Sequence, residues 1–150
     1  ERFNGYDSQG DYVWLSAEKL VRSLYHNWNV NDNAKDTIYV VKGGTIDRQE
    51  HILGYTSNNN SSKIIVPRYF YMAILYRQAN HKTGEYWKAI ALWIPHTEGD
   101  MTSGTNIARQ YAISIDELEE KTNIDFFHNL PDYIENNVEK SYSLNDWNWK

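Results

Sequence analysis

The chain contains no cysteine, which excludes disulfides and thiolate metal sites but does not locate the protein. It has no apolar run near the ~18 residues that a membrane-crossing helix needs. Positive charge is in short supply: 15 Lys and Arg stand against 20 Asp and Glu, for a formal net charge of -5. Passive coating of a nucleic acid depends on many Lys/Arg–phosphate contacts, so that class is disfavoured. An enzyme with a local basic cleft and a bound cation remains compatible with an acidic total. Several catalytic frameworks are also missing. Lys42-Gly43-Gly44 lacks the surroundings of a phosphate-binding P-loop, and there is no serine nucleophile elbow. No two histidines have the His-x-x-x-His spacing of a zinc pair. There is no internal repeat and no βαβ rhythm.

What is present suits a packed core. The 150 residues are 41% hydrophobic and 15% aromatic, with 6 Trp and 12 Tyr. A single domain of this length buries about 70% of the surface of its extended chain. Residues 1–12 read as a loop rich in Gly, Asp, Ser, Gln and Asn. From Val13 to Asn27 the apolar positions Val13, Trp14, Ala17, Leu20, Val21 and Leu24 recur at helical steps, which predicts an amphipathic helix. Thr37 to Val41 is a short buried strand ended by Gly43-Gly44. Residues 47–63 read as a surface excursion around the polar run Asn58 to Ser62. Ile64 to Pro67 reads as extended. Tyr69–Tyr76 and Tyr86–Ile94 are strands that most simply pair as a hairpin across the turn Asn80–Glu85. After a polar loop at 97–106, Arg109–Ile113 leads, extended, into a helix announced by the capping box Ser114-Ile115-Asp116-Glu117. A last helix opens at Leu130-Pro131-Asp132 and runs to about Lys140. The tail from Leu144 to Trp149 is docked by its tryptophans or else disordered. The expected class is α+β, a largely antiparallel central sheet flanked by helices.

The candidate chemistry lies near the start. Asn4, beside Gly5 in the first loop, precedes a helix carrying Glu18 and Arg22. An amide oxygen and a carboxylate are what a hard, strongly hydrated cation takes from a protein when water and substrate fill its other positions. The plainer readings are a turn residue for Asn4 and, for Glu18, a solvated ion pair with Arg22 at i+4, worth a few tenths of a kcal/mol. Arg22 could also contact a phosphate. Among the histidines, His51 closes Asp47-Arg48-Gln49-Glu50-His51, which reads as a surface loop. His26 follows the first helix, His81 sits in a turn and His96 follows a strand. Tyr69-Phe70-Tyr71 could stack on bases, but at strand spacing it reads more simply as core and sheet surface.

The order of these features resembles the DNA/RNA non-specific endonucleases, the ββα-metal class of sugar-non-specific nucleases. The resemblance rests on Phe3-Asn4-Gly5, then Trp14, Glu18 and Arg22 at four-residue steps, then Thr37-Ile38-Tyr39-Val40-Val41 with Gly43-Gly44. It continues through Ile65-Val66-Pro67-Arg68-Tyr69-Phe70-Tyr71, and through Tyr111 to Glu119 with Ile124-Asp125-Phe126-Phe127-His128-Asn129-Leu130-Pro131-Asp132. It covers residues 3–139 and is most specific from Tyr111 to Asp132. The gap between Asn4 and Trp14 is longer than the family's Asn-x-Gly-x-Trp form, and His128 stands where the family has proline.

The resemblance implies Mg²⁺, or Mn²⁺, held directly by Asn4, with Glu18 acting on its hydration shell and Arg22 near the substrate phosphate. It implies DNA and RNA as substrates and an exported location: secreted, periplasmic or cell-surface. In the family a histidine within Asp-Arg-Gly-His, on a strand upstream of the metal asparagine, activates the attacking water. No such run occurs in these residues, and Asp47–His51 lacks both its glycine and its place in the order. The chain opens at Glu1 rather than Met, which reads as a processed or trimmed polypeptide from which an export signal could have been removed. The expectation is therefore a partial nuclease domain over 1–150, incomplete at its amino end and inactive alone. An uncovered sheet edge would then recruit an amino-terminal fragment or a second copy. The alternatives are a non-catalytic module that binds nucleic acid or protein on the same fold, and a purely structural domain in which Asn4 and Glu18 lie too far apart to share a cation.

Overall fold

A computed structural model describes residues 6–8, 10–26, 36–57, 63–81, 84–96, 104 and 106–149. Phe3, Asn4, Gly5 and the run Asn58 to Ser62 lie outside them. The first described elements are a two-residue pair, β1 (Tyr6–Asp7) with β2 (Gly10–Asp11), where the sequence predicts only loop. Gly10 has φ +135, and a side chain there would meet the Gly104 carbonyl carbon at 2.8 Å. The close approach of these two backbones lets Asp11 bridge to Gly104.

Helix α1 (Val13–His26) follows as its apolar stripe predicts, with Val13, Ala17, Leu20 and Leu24 buried. The polar Ser16 on that stripe is buried as well, and its hydroxyl accepts from the Ala108 amide at 3.3 Å.

The central sheet has four antiparallel strands in the order β3 (Thr37–Gly44), β6 (Tyr69–His81), β7 (Gly84–Pro95), β8 (Ala112–Ile113). The β6–β7 hairpin is the expected one, with β6 starting at Tyr69 as predicted but running on to His81, and β7 gaining Gly84, Glu85 and Pro95. Strand β3 takes in both of its glycines and ends at Gly44, as expected, but none of its residues is fully buried. A Cβ on Gly43 would stand 2.4 Å from the Tyr71 ring, and one on Gly44 would stand 2.8 Å from Cγ of Pro67. These glycines make room for neighbours and also stand at the end of the strand.

The excursion is also more ordered over 47–57 than its composition suggests. A short 3₁₀ turn (Gln49–His51) leads into β4 (Ile52–Ser57), which pairs with β5 (Lys63–Pro67) as a separate two-stranded sheet. Likewise the segment before the second helix is not simply extended. A 3₁₀ turn at Ile107–Tyr111 precedes the two residues of β8.

Helix α2 (Ile115–Thr122) is capped by Ser114, whose hydroxyl accepts from the Glu117 amide at 3.1 Å. The Glu117 carboxylate lies 3.5 Å from Lys121. Helix α3 (Asp132–Val138) begins directly after Pro131.

Two cores result, one on each face of the sheet. Alternate residues of a strand point to opposite faces. Accordingly Met72, Ile74, Ile90, Leu92 and Ile94 pack with α1, whereas Ala73, Leu75, Ala89 and Ala91 pack with α2, α3 and Phe126. The carboxy-terminal tail closes the α1 side. Trp147 and Trp149 are buried there, and the Ser23 hydroxyl donates to the Asn148 carbonyl at 3.0 Å.

Candidate active site

Glu18 sits on the α1 side of the sheet, one step off the buried stripe. Its carboxylate lies 3.3 Å from the Lys42 ammonium of β3 and 3.7 Å from the Arg22 guanidinium one turn on. Lys42 reaches it because it shares the strand face of Ile38 and Val40, the face that packs on α1. Its ammonium is also 5.9 Å from the centre of the Trp14 ring. Beside this group, Lys19 pairs with Asp11 at 2.7 Å, tying the helix to β2. Glu18 is 24% exposed and Arg22 62%, so these exposed pairs add at most a few tenths of a kcal/mol to folding. Stability gives little reason to gather the three charges. A carboxylate at a rim beside two cations does suit a hydrated cation next to phosphate. Glu18 is a hard oxygen donor, and one or two such donors with water satisfy Mg²⁺.

An aromatic wall borders the cluster. Trp14 meets Phe70 edge-on at 5.7 Å, and Phe70 meets His96 at 5.2 Å. Nδ1 of His96 lies 3.0 Å from the Pro67 carbonyl. Lys42 and His96 were not singled out by sequence reasoning. For Lys42 the parity with Ile38 and Val40 was the available signal; for His96 it was the parity with Leu92 and Ile94. Among the described residues no imidazole bonds to Glu18, Arg22 or Lys42.

The chain belongs to the DNA/RNA non-specific endonuclease family. The family's sequence model matches residues 1–133, which contain Glu18, Arg22 and Lys42. No curated protein matches the chain. The antiparallel sheet flanked by helices agrees with the ββα-metal nuclease architecture. This nuclease places the predicted site residues unevenly. Glu18 and Arg22 come together as described, while Asn4 lies outside the described residues.

The Asp47–His51 segment differs from a plain surface loop. Asp47 to Glu50 are exposed, but His51 is buried, with Nδ1 2.7 Å from Asp47 Oδ1. Its ring lies 6.0 Å from both Tyr69 and Trp93, which stack on each other. Trp93 belongs to the α2/α3 core, so this pair stands on the sheet face opposite Glu18. Desolvation pushes the Asp47 carboxyl upward, but hydrogen bonds from His51 and Arg48 outweigh it and hold the group down at about 2. The His51 carbonyl accepts from Thr45 and from the Arg68 amide, which anchors the β4–β5 hairpin to the sheet. Of the remaining histidines, His26 ends α1, His81 ends β6 and His128 is exposed.

A second acidic group lies on that opposite face. Asp116, Glu119 and Glu139 approach one another where α2 meets the end of α3. Burial, followed by the carboxylates of Glu119, Glu135, Asp116 and Asp125, pushes the Glu139 carboxyl up to about 8.

Proposed function

We propose that this nuclease hydrolyses phosphodiester bonds of DNA and RNA with the help of Mg²⁺ or Mn²⁺, and that the chemistry centres on Glu18. The observation that carries this reading is the rim carboxylate flanked by Arg22 and Lys42. Asn4 supplies the direct ligand in this reading. The described backbone returns at Tyr6, two residues later in sequence, and pairs with Asp11 just before α1. Glu18 would hold the ion through its hydration shell. Arg22 and Lys42 hold the phosphate oxygens and offset charge that grows on them during cleavage. The cation, when bound, supplies Lewis-acid polarisation of the phosphate and stabilises the departing oxygen. None of these contacts reads a base or tests for a 2′-hydroxyl, in keeping with action on both nucleic acids.

The water-activating base belongs outside this cluster, since no described imidazole bonds to it. Following the family resemblance, we assign it to a histidine of an Asp-Arg-Gly-His segment, and residues 1–150 contain no such run. We therefore expect these residues alone to bind the cation and nucleic acid and to cleave at most weakly. Calorimetric titration with MnCl₂ tests the metal part: Glu18→Gln is expected to weaken binding about 10–100-fold. Unchanged affinity in that variant would remove Glu18 from the site. Strong Mg²⁺-dependent cleavage of plasmid DNA by residues 1–150 would overturn the assignment of the base. Salt-sensitive binding of nucleic acid with no cation uptake would favour the alternative, a non-catalytic binding module on this fold.

A further inference from the structure

We propose that Asp116, Glu119 and Glu139 form a second cation site, separate from Glu18, that takes a hard divalent ion of calcium size and fastens α3 to α2. Asp116 and Glu119 are three residues apart on α2 and so share one face of the helix. Glu139 follows the last turn of α3, and its carbonyl accepts from the Asp116 amide at 3.2 Å. One carboxylate oxygen from each of the three residues lies within 4.8 Å of the others. Three oxygens within that span lie no more than about 2.8 Å from a common centre, close to the Ca²⁺–oxygen range of about 2.3–2.6 Å, so a small inward movement of the side chains lets a single ion touch all three.

A second observation points to a missing ligand. Glu139 is only 4% exposed, and its Oε1 is buried without any hydrogen-bond partner. A buried carboxyl oxygen left without a partner is costly, whether the group holds a proton or a charge, unless an ion or donor meets it. Protein cations do not fill that role here. Lys121 lies against Glu117, and Lys140 donates to Asn136. Among the described residues no Lys or Arg pairs with any of the three carboxylates. All three donors are carboxylate oxygens, which excludes a soft metal. Calcium is favoured over magnesium because it accepts several protein oxygens in irregular geometry, whereas Mg²⁺ demands a near-ideal octahedron and retains its waters. The site lies on the α2/α3 side of the sheet, away from the α1 side that carries Glu18.

The test is thermal unfolding of the chelator-treated 150-residue chain, titrated with CaCl₂, MgCl₂ or MnCl₂. Calcium is expected to raise Tm by roughly 5–10 °C at about a hundred times its Kd. Asp116→Asn and Glu119→Gln change positions that are only half-buried, so both variants should fold. Each is expected to weaken the calcium response at least about tenfold. Glu18→Gln should leave that response intact. A wild-type Tm indifferent to all three cations would overturn the site and leave Glu139 protonated. A full calcium response in Asp116→Asn and Glu119→Gln would overturn it too, as would its loss in Glu18→Gln.

Discussion

The two faces of the central sheet carry acidic residues in opposite settings. On the α1 side Glu18 stands at a rim with a cation on either hand. On the α2/α3 side Glu139 is buried among carboxylates and no described cation reaches it. The contrast separates two uses of negative charge. A rim carboxylate with exposed cationic neighbours can exchange partners as substrate arrives. A buried acid crowded by like charges must find one lasting partner, whether a proton or an ion.

The comparison rests on both faces being true core, and the largest expected effects test that. Trp147→Ala, which opens the α1 side, should cost about 3–5 kcal/mol in a denaturant titration. Leu118→Ala on the other side should cost about 2–5 kcal/mol. A much smaller loss at Trp147 would mean that the tail is only a loose cover, and that one face holds the fold alone. Gly43→Ala should cost about 1–3 kcal/mol, because its methyl would press on a Tyr71 ring that already packs against Phe126. A neutral result there would show that the strand can shift away.

Ser114→Ala removes the acceptor for the Glu117 amide and should cost about 1 kcal/mol by the same assay. The smallest effect concerns acid. The folded Asp47 carboxyl titrates at about 2, below its ordinary value of 3.8. The stability it contributes is therefore complete above about pH 4 and is lost as pH falls toward 2. Asp47 is 41% exposed, so solvent weakens the contribution. Asp47→Asn should flatten the fall in Tm between pH 5 and pH 3 by a small amount. An unchanged slope would detach the His51 pairing from acid stability.

Much of the fold was legible because it is local. The buried stripe of α1, the β6–β7 hairpin and the Ser114 cap all follow from residues within a few positions of one another. Errors came where composition stood in for environment. Gly43-Gly44 do end their strand, but the space they leave is filled by a tyrosine and a proline from other strands, which composition does not show. The run from 47 to 57 is polar on average, but its strand forms by pairing with Lys63–Pro67. His51 becomes buried because Tyr69 and Trp93 are brought to it from two other strands.

At the candidate site, the helix spacing alone made Glu18 and Arg22 neighbours. The family pattern in the sequence also named the reaction class to expect. Lys42 and His96 entered only with tertiary structure, because the side of the sheet to which a strand residue points depends on how distant strands pair. The same holds for Glu139, an ordinary acid at the end of a short helix until packing sets it against Asp116 and Glu119. Local chemistry is written residue by residue. Which charges share a face, and which are cut off from water, is decided by contacts between residues far apart in the chain.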